Sequence, residues 1–124
     1  MMEMPVAHTP LGDLGGIRQD GVTTFRGVPF AQPPVGEYRF AVAEPVRPWR
    51  GMRAATEHGP IAPQLPSRLR VAMGDFTRPQ SEDCLTLTIS TPAVDAKLRP
   101  VLVWLHGGAW ITGKLFPQAI CMLS

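Results

Sequence analysis

The sequence predicts an α/β chain that begins in short antiparallel strands and reaches, near its end, the first strands of a doubly wound sheet. Three observations carry that prediction. Val101-Leu102-Val103-Trp104-Leu105 is a run of five apolar residues, two of them β-branched, which is the pattern of a rigid strand buried on both faces. Leu85-Thr86-Leu87-Thr88-Ile89-Ser90 alternates apolar and polar residues without a fault, as a strand with one buried face does. The opening stretch is cut by Gly12, Gly15-Gly16, Gly21 and Gly27 into pieces that suit short strands.

Taken in order, the first thirty residues should give two or three strands, of which Val22-Thr23-Thr24-Phe25 is the strongest. Asp20-Gly21 just before it is a hairpin-turn dipeptide, so an antiparallel ribbon at a sheet edge is expected. Residues 29–70 carry Pro29, Pro33-Pro34, Pro45, Pro48, Pro60, Pro63 and Pro66, with Phe30, Tyr38, Phe40 and Trp49 spaced without period. That passage is too apolar for a flexible linker and too rich in proline for regular structure, and should lie packed across the surface of a larger body. Thr91-Pro92 closes the 85–90 strand, and a short connection leads to a neighbouring strand at 101–105. Lys114 to Ser124 differs in character, holding one of two lysines and one of two cysteines.

Composition removes several classes of function. The 124 residues suffice for one small domain, and 44% hydrophobic content argues against wholesale disorder. The net charge of +2 is modest. Arg47, Arg50 and Arg53 form the nearest approach to a basic run, but Pro45, Pro48 and Gly51 argue against a helix there, so a solvated loop is expected and nucleic acid is not a partner. No apolar run approaches a membrane span. Met1-Met2-Glu3-Met4-Pro5 lacks the basic start and apolar core of a secretory signal, so a cytoplasmic setting is expected. Cys84 and Cys121 could make one bridge, but their spacing suggests no disulfide framework or metal site, and His8 and His58 are expected as solvated loop residues without a ligand set.

Chemistry concentrates where the apolar run breaks into His106-Gly107-Gly108-Ala109-Trp110. Glycines there let the backbone turn sharply and approach a bound group, and a strand that delivers free N–H groups is how an oxyanion hole is built. An ordinary tight turn leaving a strand is the plainer reading of the same residues. A nucleophile is not apparent. The four serines, Ser67, Ser81, Ser90 and Ser124, lie in no Gly-x-Ser-x-Gly context. Cys84 has Glu82 and Asp83 beside it, which raise rather than lower a thiol pKa. Ser81 is expected to bond a nearby backbone group in a turn, and Glu82 and Asp83, adjacent on extended chain, should point apart.

Four separated blocks resemble the N-terminal part of the type-B carboxylesterases, the family of para-nitrobenzyl esterases and cholinesterases. They are Phe25 through Gly36 with Arg39-Phe40; Trp49 with Ala55-Thr56, Gly59-Pro60 and Pro63-Gln64; Ser81 through Leu87; and Pro100 through Trp110 with Gly113. The resemblance implies an α/β-hydrolase fold of which this chain is an N-terminal fragment. It implies hydrolysis of a small carboxylic ester through an acyl-enzyme on a serine nucleophile, with no cofactor and no metal. Carried over residue by residue, Gly108 and Ala109 would donate backbone N–H groups to the oxyanion hole and Gly107 would shape the turn. Trp110 would line the substrate pocket, and His106 would orient the loop. Arg39 and Glu82 would form a buried ion pair, and Cys84, with no upstream cysteine to meet, a buried free thiol. The expected division is 1–113 as the family portion and 114–124 as a divergent tail of the kind a shift of reading frame produces. A chain lacking the elbow serine and the later acid and histidine is expected to be inactive alone. The alternative from another class is a non-catalytic binding module derived from an esterase, using the proline-rich surface and the exposed strand edge.

Overall fold

The computed structural model describes residues 4–66 and 78–107, and the backbone of 119–122. Among the described residues eight strands are seen: β1 (Val6–Thr9), β2 (Gly12–Gly15), β3 (Ile17–Gln19), β4 (Val22–Pro29), β5 (Met52–Ala54), β6 (Thr86–Thr91), β7 (Val101–Val103) and β8 (Ala119–Met122). They form two sheets, a three-stranded one in the order β1-β2-β5 and a five-stranded one in the order β3-β4-β6-β8-β7.

The glycine-punctuated opening behaves as its turns dictate. β1 and β2 pair antiparallel from Val6–Gly15 to Thr9–Gly12, and β3 pairs β4 antiparallel across Asp20-Gly21. Both turn residues have positive φ, 49° and 79°, the conformation that matches the twist of a two-residue hairpin. The β3–β4 ribbon lies at the edge of the larger sheet, as the sequence predicts.

β4 carries the join between the two sheets. Its pairing with β6 slips between Phe25 and Val28, a bulge centred on Gly27 at φ 64°. A bulge turns one residue's N–H away from the ladder. Here Arg26 N–H donates instead to Ala55 O at 2.8 Å, while Ala55 N–H donates to Gly15 O at 2.7 Å. The bulge thus hands β4 to the end of β5, and β5 to β2. Apolar side chains close the same seam: Leu14, Phe25, Val28 and Ala55 are buried together, with Ala7, Trp49, Leu87 and Ile89 packed around them. Trp49 lies over Gly12 and donates its indole N–H to Asp13 O at 3.1 Å, anchoring the proline-rich passage to β2.

That passage is irregular, as expected, apart from a 3-10 turn at Gly36–Tyr38 and β5. Gln32 N–H to Glu44 O closes it on itself, and Trp49 N–H to Leu11 O and Phe30 N–H to Leu85 O tie it to the sheets beside the Trp49 indole bond. One expectation fails inside it. Arg53 stands on β5, paired parallel to β2, because the backbone that follows Gly51 returns to the sheet; Arg47 and Arg50 stay in exposed loop.

Two strand expectations also need correction. β6 runs Thr86–Thr91 and buries Thr88 more fully than the half-buried Leu87 and Ile89 of its apolar face, because the loop at 57–59 covers the side that alternation assigns to solvent. Val101–Leu105 is exposed where burial on both faces is expected, from 51% at Leu102 to 85% at Leu105. Its first three residues form β7, the outermost strand of the sheet, and no described element packs on either face of it. Between β6 and β7 lies β8, parallel to β6 and antiparallel to β7.

Candidate functional site

The segment that sequence reasoning marks for chemistry leaves the end of β7. His106 and Gly107 are both exposed, and His106 Nδ1 lies 2.7 Å from Gly107 O, so the ring donates to the backbone of the turn it precedes. That contact suits a histidine that shapes the loop. Gly108, Ala109 and Trp110 lie outside the described residues, as does most of the tail from Lys114. His106 and Gly107 thus follow the carboxyl end of β7, the outermost strand of the sheet.

Arg39 and Glu82 meet as the resemblance implies, with Arg39 Nε donating to Glu82 Oε1 at 2.7 Å. Their burial differs from expectation: the side chains are 54% and 45% exposed. Arg39 follows the 3-10 turn of the proline-rich passage, and Glu82 lies in a bend before β6, so the pair spans two surface loops. The Arg39 guanidinium also lies 4.7 Å from the centre of the Phe40 ring. Phe40 itself has φ 62° and is almost wholly exposed.

The block around Cys84 is a chain of local turns. Ser81 Oγ accepts from Asp83 N–H at 3.1 Å, the side-chain turn expected of it, and Ser81 N–H donates to Ile61 O. Cys84 is a free thiol but half-buried rather than buried, because it sits before β6 begins. Burial pushes its pKa up, with the Asp83 carboxylate adding to the shift, so it is a poor nucleophile.

Two histidines depart from the expectation of solvated loop residues. His8 is exposed but stands on β1, and its Nδ1 lies 2.8 Å from Asp13 Oδ1 across the hairpin. His58 is half-buried with Nδ1 3.2 Å from Thr88 Oγ1, in a cleft lined also by Gly27, Gly59, Arg78, Thr86 and Leu87. Burial holds its pKa below the ordinary histidine value, and the positive charges of Arg78 and Arg26 lower it further. Nothing in the sequence around His58 signals this, since the cleft forms only where the β4 bulge meets the 57–59 loop. No group of His, Cys, Asp and Glu among the described residues could hold a metal ion, and no described helix is long and apolar enough to cross a membrane.

Comparison with known proteins resolves the class. The chain superposes on para-nitrobenzyl esterase with TM-score 0.79 and 38% identity, covering 90% of this chain and 23% of that one. A carboxylesterase of Geobacillus stearothermophilus gives TM-score 0.74 and 44% identity over 87% of this chain and 20% of that one. The strands described above are thus a fragment of an α/β-hydrolase fold. Residues 3–117 match the model of the carboxylesterase family, and the chain belongs to that family. Among curated relatives, phenmedipham hydrolase of Pseudarthrobacter oxydans is 49% identical over 116 residues, 92% of this chain and 24% of that protein. Para-nitrobenzyl esterase of Bacillus subtilis is 38% identical over 90% of this chain and 23% of its own length. The chain therefore spans about a quarter of the length of the relatives it matches.

Proposed function

We propose that residues 1–113 are the N-terminal part of a serine carboxylesterase, which hydrolyses a small carboxylic ester through an acyl-enzyme, with 114–124 a divergent tail. The observation that carries this reading is the position of His106-Gly107 at the carboxyl end of β7, within a chain that superposes on para-nitrobenzyl esterase along nine-tenths of its length. In this reading the N–H groups of Gly108 and Ala109 face the carbonyl oxygen of the ester and hold the negative charge that develops there. Gly107 gives the turn its sharpness, and the His106 ring, bonded to Gly107 O, fixes the direction in which the next peptides point. Trp110 then lines the acyl or alcohol pocket. Ala109 in place of a glycine leaves the donor intact, because the bond is made by backbone, and narrows the space above it. The nucleophile, its base and its acid belong to the portion of the relatives that this chain does not span. No metal or organic cofactor enters the reaction. The names of the relatives, para-nitrobenzyl esterase among them, support an ester as the target. A free thiol at Cys84 supports a reducing, cytoplasmic setting.

The reading is tested by replacing the matching N-terminal segment of para-nitrobenzyl esterase with residues 4–113 of this chain. The hybrid is expected to hydrolyse p-nitrophenyl acetate, whereas the 124-residue chain alone gives no turnover above a buffer blank. A well-folded hybrid without turnover would count against the assignment.

A further inference from the structure

Asp20-Gly21, at the tip of the β3–β4 hairpin, is the only Asp-Gly pair in a chain that contains no asparagine. Both residues are exposed, and both have positive φ. Among the described residues the Asp20 carboxylate makes no ion pair, and neither it nor the Gly21 N–H has a hydrogen-bond partner. Nothing lies within 4 Å of the position that a Cβ on Gly21 would take. A free carboxyl therefore stands beside a free peptide nitrogen that no side chain shields. The other described aspartates are placed differently. Asp13 lies against His8 and precedes Leu14, while Asp95 is held by Arg99 and by the Lys97 N–H. Asp83 precedes Cys84, whose N–H is already given to Glu82 O.

We propose that Asp20 is a site of spontaneous covalent modification, where the folded chain converts aspartate to isoaspartate. The Gly21 nitrogen attacks the Asp20 side-chain carbonyl carbon and closes a succinimide ring. A carboxyl C–O bond breaks, and that oxygen leaves as water with the amide proton and the carboxyl proton. Water then adds to the main-chain carbonyl of Asp20 and breaks its bond to the Gly21 nitrogen. The chain now runs through Asp20 Cβ and Cγ, and the former main-chain carbonyl is a free carboxylate. Water lost equals water regained, so no further reactant is needed. Attack requires the Gly21 peptide to swing out of the turn, and glycine permits that swing. β3 is three residues long at the edge of its sheet, so local opening there costs little. Charge is unchanged, but the main chain gains a methylene. A two-residue turn matches the twist of its strands only at its ordinary length. The pairing of Ile17, Arg18 and Gln19 with Thr24, Thr23 and Val22 is therefore lost, and with it the bond from Arg18 to Thr23 Oγ1.

The test ages the full chain at neutral pH and body temperature, then maps its tryptic peptides by liquid chromatography and mass spectrometry. The peptide from Gln19 to Arg26 should split into two species of equal mass, with a minor third lighter by one water. Gly21→Ala, which crowds the attacking nitrogen, should slow conversion by about tenfold. Asp20→Glu should abolish it, because the ring would need one more carbon. The isomerised chain, purified from its parent, should unfold at a lower urea midpoint. Absence of an isomer at Asp20, or conversion there no faster than at Asp13, Asp83 and Asp95, would overturn the proposal. An unchanged urea midpoint would overturn the loss of strand pairing assigned to it.

Discussion

Gly27→Ala is the substitution that most directly probes how the two sheets are joined. Gly27 has φ 64°, and a Cβ there would meet Glu57 O at 2.7 Å, a backbone atom that no side-chain rotation can move aside. The left-handed backbone costs a residue with a Cβ about 1–2 kcal/mol. Forcing the 57–59 loop outward adds about 1–3 kcal/mol, the usual range for overpacking. Reduced freedom of the unfolded chain returns about 0.4–1 kcal/mol. The net loss is about 1–5 kcal/mol, set against the 5–15 kcal/mol that holds a typical domain folded. Gly51→Ala separates the two effects, since Gly51 has φ 74° and nothing within 4 Å of its Cβ position. It should cost only about 1 kcal/mol, the backbone part alone. Urea unfolding followed by tryptophan fluorescence measures both, with Trp49 reporting through its packing on Gly12. Equal midpoints for the two variants would refute the role assigned to the bulge.

Other outcomes follow from the same structure. Phe25→Ala, at the centre of a core of only a few buried apolar residues, should cost about 3–5 kcal/mol and abolish the cooperative transition. A double-mutant cycle on Arg39 and Glu82 should give about 0.2–1 kcal/mol, the value of an exposed pair; a coupling of several kcal/mol would mean the pair is buried. The Asp95 carboxyl, held down to about 2 chiefly by its bond from Arg99, stabilises the fold above its ordinary range and loses that contribution as pH falls through about 2. Arg99→Gln should bring the Asp95 titration back toward the ordinary carboxylate value by NMR. His58, with its pKa held below that of the unfolded chain, favours folding above about pH 6.5 and progressively less as pH falls below it. Urea midpoints should drop across that range, and His58→Gln should flatten the change. Leu102→Lys on the exposed edge of β7 should suppress self-association of the isolated chain in light scattering.

Local signals read well wherever structure is local. Asp20-Gly21 specifies its turn, the flanking residues its two strands, and proline density the irregular passage from 30 to 50. The same holds for the Ser81 turn. What failed depended on distant chain. The apolar run at 101–105 states what the strand requires as cover, not whether cover is present, and at the sheet edge it stands exposed. Alternation along β6 correctly forecasts a strand, yet Thr88 is buried because a loop thirty positions earlier folds over it. His58 carried no signal for the same reason: its surroundings are assembled by a bulge on β4 and by β6, neither adjacent in sequence. The Arg39–Glu82 pairing came from family resemblance, which transfers a contact between residues but not the solvent exposure around it.

The oxyanion-hole assignment is the claim on which the functional account rests, and one kinetic comparison reaches it. In the para-nitrobenzyl esterase hybrid carrying residues 4–113, Ala109→Pro deletes one of the two N–H donors this chain is proposed to supply. The account predicts that kcat for p-nitrophenyl acetate falls by about 10²–10³ while KM and the thermal midpoint hold, as for loss of a donor that acts on the transition state. A kcat within a few-fold of the unsubstituted hybrid would contradict it, and would leave the turn after β7 as no more than the end of a strand.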